Sequence, residues 1–423
     1  MPSDASPLID RLLAKGVHIP VPYSVEIGPD IDLDRISGED VTIHAGCRIS
    51  GGKTLIMPGV SLGAEAPATV HDCQLGRGVS LKGGFFADTC FLDGAAMGSG
   101  AHVREACLLE EKARGAHTVG LKHTILLPFV KLGSLINFCD CLMAGGTDEK
   151  NHSEVGSSYI HFNFTPNQDK ATAALIGDVP GVVMLDQPPI VLGGQGGLAG
   201  PVRINYGVVV AAGAIVRKDL LKGNIILLGS PALSRKLPFH RGLYTQLRRI
   251  IDLNFVYLAN ILALRRWYLD VRSRFAGPNP MGAELLKGAV DKLDRAVSER
   301  LKRLGQVAER MPRSMELLRE ISSGPSLDKA VGRKKEFQSR WPDISAHFEG
   351  CMDRVGDPSQ RDRFFSMVER AILENGPDYL SAIRGLDRRQ SEAGTAWLQG
   401  LVDEITGQAW ELLPSFAEKR PGP

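Results

Sequence analysis

The sequence predicts an all-β parallel coil with turns of about 17 residues, followed by an all-α domain. Cys73, Cys90, Cys107 and Cys141 lie on one 17-residue lattice with Thr124 at the remaining node. Two places on, the same lattice carries Leu75, Leu92, Leu109, Leu126 and Met143. A unit this short cannot bury its own apolar face, so like side chains must stack from coil to coil to make a core. Glycine then marks a boundary: 32 of 47 precede residue 241, whereas all four tryptophans (Trp267, Trp341, Trp397 and Trp410) follow it. Beyond Pro238 the apolar spacing becomes three-and-four, the period of a helix.

In chain order, residues 3–16 predict a short helix with Leu8, Ile9, Leu12 and Leu13 on one side and Gly16 as its stop. From 17 to 70 the runs VEIG, VTIHAGCRIS and TLIMPGVSLG are β-branched, short and broken by Gly or Pro, which suits the faces of a coil. The repeat proper fills 71–143. Two polar or irregular stretches, 144–172 and 178–189, interrupt it before the pattern resumes and closes with NIILLGSPA at 224–232. Loops ejected from a rigid coil are where binding groups gather, so the interruption at 144–172 is expected to hold the site. The division is therefore 1–45 as helix and entry segment, 46–237 as coil and 238–423 as a helical bundle or trimer-forming helices.

In the last part, Leu243, Leu247, Ile251, Phe255, Leu258 and Leu262 predict a helix running to about Phe275, ended by Gly277-Pro-Asn-Pro280. Leu286, Val290, Leu293, Val297, Leu301, Leu304, Ala308 and Met311 predict the next, up to Pro312. Further helices are expected at 325–340, 360–374 and 391–412. Arg248, Arg249, Arg265, Arg266, Trp267 and Tyr268 around an apolar middle also fit a membrane-surface helix over 243–275. A helix packed on the coil or on its mates is the preferred reading.

Composition excludes several classes. A net charge of +2 argues against a dedicated nucleic-acid binder. Residues 1–240 hold 20 Lys+Arg and 23 Asp+Glu, leaving 30 and 25 for the rest, so the two parts are mildly acidic and mildly basic. Seven cysteines in so long a chain do not make a disulfide scaffold. Cys139-Asp-Cys141 has no matching second pair, so no metal is expected. The first residues lack a long apolar stretch and the run Ile250–Leu264 is short and interrupted, which together favour a reducing, cytoplasmic location. Gly194-Gln-Gly196-Gly-Leu-Ala199 matches a dinucleotide fingerprint in letters only, because it sits within coil sequence and not between a strand and a helix.

The tail IVLGGQGGLAGPVRINYGVVVAAGAIVRKD…LLGSPA, with LGSLINF and EVGSSYIHFNFTPNQDKATAALIGD before it, resembles the hexapeptide-repeat acyltransferases. The resemblance is nearest to the acetyltransferase half of the bifunctional N-acetylglucosamine-1-phosphate uridyltransferase/glucosamine-1-phosphate acetyltransferases. The uridyltransferase half has no counterpart here. The resemblance implies a left-handed β-helix, a homotrimer, and acetyl-CoA lying along the coil between subunits. It places Gly194, Ala211 and Ala212 near the thioester and pantetheine, and Arg217 and Lys218 near the CoA phosphates. Asn163 matches a sugar-contacting asparagine, Phe164 stands for the adjacent aromatic, and Lys170 lies one position from a substrate lysine.

Two departures stand out. Asp140 occupies the position of the family's general-base histidine, and Pro128 that of an upstream lysine. Acetyl transfer to an amine needs a base, and His161, His152 and His123 are the nearby substitutes, with His161 preferred as catalytic and His123 as substrate-binding. The function implied is transfer of an acetyl or other acyl group from CoA to an amino sugar, sugar phosphate or sugar nucleotide, related to UDP-N-acetylglucosamine biosynthesis. The alternative is a non-catalytic coil that binds a sugar nucleotide or serves as an oligomeric scaffold.

Overall fold

Runs of two to nine extended residues, separated by tight turns, stack in parallel as a β-helix. The computed structural model describes residues 7–163, 165–229, 236, 238–277 and 279–416. Paired parallel strands run from Glu26–Ile27 to Ile226–Leu227, preceded by a parallel bridge from His18 to Thr42, so the coil begins well before residue 46. Helix α1 (Pro7–Lys15) caps it with Ile9 and Leu12 buried.

Each coil has three faces. One is a ten-stranded sheet of two-residue strands from Thr42–Ile43 to Ile226–Leu227. The other two belong to a single bent sheet, because strands such as Ala101–Leu109 and Asn137–Met143 run through a corner without ending. Every such corner has a residue in the left-handed region: Asp88, Glu105 with Ala106, His123 and Asp140. Side chains alternate in and out on each face, as strands require.

The inward columns form the core, but one cysteine is out of place. Cys107 pairs with Thr89, and Cys73 Sγ lies 3.3 Å from Thr89 Oγ1. Cys90 instead pairs with Gln74 and Leu108, points outward, and meets the Leu285 carbonyl. The turn from Cys73 to Thr89 takes 16 residues and the next, to Cys107, takes 18, where the corner at Glu105–Ala106 spends two left-handed residues and its neighbours one. Likewise Phe91, not Leu92, stacks between Leu75 and Leu109.

After α2 (Val179–Val182), the helical part comprises α3 (Leu247–Asp270), α4 (Pro280–Glu309), α5 (Met311–Ile321), α6 (Pro325–Gly350), α7 (Pro358–Asn375), α8 (Tyr379–Arg384) and α9 (Arg388–Glu411). The expected helices are present, and α5 and α8 are additional to them. The sequence break at Pro312 is real, since it falls in the first turn of α5, where a missing N–H costs nothing.

Helices α3 and α4 lie on one face of the coil. Its outward row is Gln74, Cys90, Leu108, Ile125, Leu142 and Leu175, all buried. Helix α3 is central, with Trp267 and Tyr268 buried and its arginines engaged by Asp219, Asp294, Asp270 and, just beyond it at Arg272, Glu111. The membrane-surface reading of 243–275 is thereby corrected, because protein covers the apolar middle. Among the described residues no helix is long and apolar enough to cross a membrane.

Candidate functional site

The left-handed corners set the first group of candidates. A side chain at such a corner projects away from the coil, and here α4 runs along the row of corners. From its start to its end, Glu284 pairs with Arg35 at 2.8 Å, Lys292 with Asp88 at 2.9 Å, and Arg300 with Asp140 at 2.8 Å. Asp140 is 4% and Arg300 1% exposed. Their charges are close but the Arg300 N–H is not aimed at the carboxylate, so the pair is electrostatic more than hydrogen-bonded. Asp140 is therefore engaged by a helix where a base would need an open acceptor. His123 sits one coil before it, with Nε2 3.6 Å from Glu105 and 4.0 Å from Glu299 of α4. Burial holds its pKa below the ordinary value, opposed by Asp140 and Glu299.

His161 points into the coil. Its strand, Ile160–Phe162, has the pattern exposed–buried–exposed, and His161 pairs with Leu198 in an interior row otherwise built from Val70, Phe86, Val103, Leu121, Phe138 and Val216. Its Nδ1 meets the Cys139 carbonyl, and Nε2 faces the Thr172 backbone without a well-formed hydrogen bond. A Cβ at Gly200 would lie 2.7 Å from that Nε2, so the ring is walled in by backbone. Burial lowers its pKa and favours neutral imidazole. The preferred base thus occupies a core position out of reach of an acceptor on the surface. His152 differs: it lies outside the coil, with Nε2 3.7 Å from Glu154.

The long interruption proves to be two loops, separated by an intact turn of coil at Glu154–Phe162. The first, around 145–152, folds over the ten-stranded sheet through Glu149, which meets Lys112 at 2.8 Å and Arg114 at 3.3 Å. The second, 163–173, is held by the helices. Arg300 donates to the Lys170 carbonyl at 3.0 Å, Arg310 to the Asn167 carbonyl at 2.8 Å, and Asn254 to the Ala171 carbonyl at 3.1 Å. Asp169 is buried and accepts from Tyr244 at 3.0 Å. The Lys170 side chain is exposed and Asn163 half-buried, while Phe164 lies outside the described residues. The interruption at 178–189 is also an anchor: α2 is buried against α3 and α9, and Val179 N–H donates to Asn260 at 2.8 Å. The 163–173 loop and α2 thus anchor the helical domain as well as carrying candidate groups.

The implied cofactor residues lie elsewhere, at the corner that follows each strand of the ten-stranded sheet. There Gly133, Gly156, Gly193 and Ala211 bond to the next coil through successive backbone N–H groups. A Cβ on Gly193 would lie 2.3 Å from the Ala212 nitrogen, and one on Gly156 2.4 Å from the Gly194 nitrogen. Close stacking alone thus demands small residues here. Gly194 and Ala211 are half-buried, and Ala212, Arg217 and Lys218 are exposed. Beside them Val209, Ile215, Ile226 and Leu228 are exposed apolar groups.

No protein-family model matches the chain. It is 25% identical over 221 residues to the bifunctional protein GlmU of Oleidesulfovibrio alaskensis, covering 52% of this chain and 43% of that one. The GlmU of Burkholderia thailandensis is 28% identical over 227 residues, and that of Pelobacter propionicus 26% over 207. Over half its length the chain is homologous to GlmU. It spans less than half the length of these GlmU relatives. The matched length is that of the β-helix, and the parallel solenoid is the architecture expected of a hexapeptide-repeat acetyltransferase.

The groups missed from sequence are on the helical side: Arg300 meets Asp140 and the Lys170 carbonyl, Glu299 lies 4.0 Å from His123, and Arg310 holds the Asn167 carbonyl. A signal was present. Leu108–Leu109, Ile125–Leu126 and Leu142–Met143 are apolar at both alternating positions, which marks strands covered on both faces.

Proposed function

We propose that this chain transfers an acetyl group from acetyl-CoA to an amino sugar or sugar phosphate, as a homotrimer in the reducing cytoplasm. The homology to GlmU over a stretch the length of the β-helix carries this reading. The corner of Gly194, Ala211 and Ala212 supports it, because no helix packs extensively on the adjacent ten-stranded sheet among the described residues. A thin cofactor arm can lie along such a backbone-lined corner, with Arg217 and Lys218 as charge-assisted donors to its phosphates. The neighbouring Val209, Ile215, Ile226 and Leu228 form an exposed apolar patch of the kind a second copy covers. With Asp140 engaged and His161 interior, His152 is the remaining candidate base, oriented by Glu154. Asn163 and the Lys170 side chain would contact the acceptor.

Calorimetry with acetyl-CoA tests the reading directly. The wild type should bind, and the double substitution Arg217→Ala plus Lys218→Ala should weaken binding about tenfold or more, the loss of charge-assisted bonds. No heat at millimolar acetyl-CoA would sink the proposal, and a monomer in sedimentation would sink its trimeric form.

A further inference from the structure

The covered face of the coil does not stay apolar to its end. After Cys90, Leu108, Ile125, Leu142 and Leu175, the next outward residue is Arg203, in register with Leu175. There the helices part from the coil and leave a cleft of about 760 Å³ between strand Val202–Ile204 and helices α3 and α9. Some of its lining is already engaged. Arg249 grips Asp219 with two nitrogens, at 2.7 and 2.9 Å, and Asn260 holds the start of α2. Asp403 accepts from Gln399 at 2.8 Å.

Asp178 is engaged too, accepting from Gly181 N–H at 2.9 Å, but three lining groups are not. The Arg203 guanidinium, the Asp252 carboxylate and the Trp410 indole N–H make no hydrogen bond or ion pair among the described residues. Trp410 is held in place by Phe255 and Phe416, at ring separations of 5.3 and 6.0 Å. We propose that this cleft binds a compact ring compound carrying both an oxyanion and an amine. The oxyanion meets Arg203, the amine meets Asp252, and the ring lies against Trp410.

Charge balance selects this class. A ligand with only negative charge would face Asp178, Asp219, Asp252 and Asp403, and one with only positive charge would face Arg203, Arg248 and Arg249. A ligand carrying both signs meets a partner for each. The cleft volume falls within the ordinary range for a small-molecule site, and an aromatic wall suits the apolar face of a sugar ring. The inference is independent of acyl transfer, because none of Gly194, Ala211, Ala212, Arg217 or Lys218 lines the cleft.

Glucosamine 1-phosphate, glucose 1-phosphate and glucosamine, titrated into the full chain with tryptophan fluorescence as the readout, delete one contact at a time. Glucosamine 1-phosphate should bind about tenfold or more tighter than either of the others. Arg203→Gln should remove its advantage over glucosamine, Asp252→Asn its advantage over glucose 1-phosphate, and Trp410→Phe the fluorescence change. Arg203→Lys replaces the glutamine variant if that one fails to fold. Equal affinities for the three ligands, advantages that survive both substitutions, or no saturable signal at millimolar ligand would overturn the proposal. Sugar-phosphate binding without acetyl-CoA binding would retain this site and sink acyl transfer; the reverse would sink this site alone.

Discussion

Two faces of the same coil obey different rules. On the ten-stranded sheet the outward row reads Thr42, Ser61, Ser80, Ala96, Arg114, Lys131 and Glu154 before it turns to Val191, Val209 and Ile226. On the face beneath α3 and α4 the outward row is apolar from Cys90 to Leu175 and becomes charged only at Arg203. Their polarity therefore changes in opposite directions near the same end. The inward rows cannot tell the faces apart, since both are core. What distinguishes them is the outward row, which reports what lies against the coil: solvent, a helix, or a further molecule.

The largest test of this contrast is the charge clamp on the covered side. Removing one member of a buried ion pair leaves the other uncompensated, so Asp140→Ala should cost about 3–5 kcal/mol in urea unfolding. Adding Arg300→Met to that variant should restore part of the loss, because the stranded cation is gone. A cost below about 1 kcal/mol would mean that α4 is not registered by this pair. Next in size is the apolar row itself. Leu142→Ala should cost about 2–5 kcal/mol, whereas Ser80→Ala on the open sheet should stay within about 0.5 kcal/mol. Similar losses at both positions would erase the distinction between the faces.

The third test is a pH slope at the edge of the covered face. Glu110 is buried beside Glu111, Tyr268 and Arg272, and burial pushes its carboxyl up from the ordinary 4.5 to about 7. Between those values the folded chain binds the proton and the unfolded chain does not. The contribution to stability is thus complete below pH 4.5 and lost as pH rises through about 7. Glu110→Gln keeps an acceptor for Tyr268 and should flatten that slope, making the variant the more stable protein at pH 8. Parallel pH profiles for variant and wild type would remove Glu110 as its source.

The coil was legible because stacking imposes a period that one chain displays openly. Its register was less so. Cys90 falls on the 17-residue lattice in the sequence, yet faces α4, because a lattice counts residues and cannot see that one turn takes 16 and the next 18. The helices were legible by spacing, but their docking was not, since a polar interruption looks alike whether it holds a ligand or a helix. Asp140 shows the difficulty at one residue: its identity departed from the resemblance, and the partner explaining it, Arg300, lies 160 positions away. His161 failed as a reading for a simpler reason. Strand alternation within Ile160–Phe162 sends it inward, and the adjacent polar letters concealed a strand only three residues long.

Helix α4, about 45 Å long at 1.5 Å per residue, ties the coil together from Arg35 to Asp140, and Arg310 just beyond it reaches Asn167. A solenoid made only of neighbour contacts can loosen one turn at a time; this one is splinted lengthwise by residues encoded after it. During synthesis the turns emerge first, with Leu108, Ile125, Leu142 and Leu175 bare until the splint has left the ribosome. The nascent chain therefore passes through a stage at which its longest greasy ridge is exposed, and that interval, more than the finished fold, is where chaperones and proteases meet it.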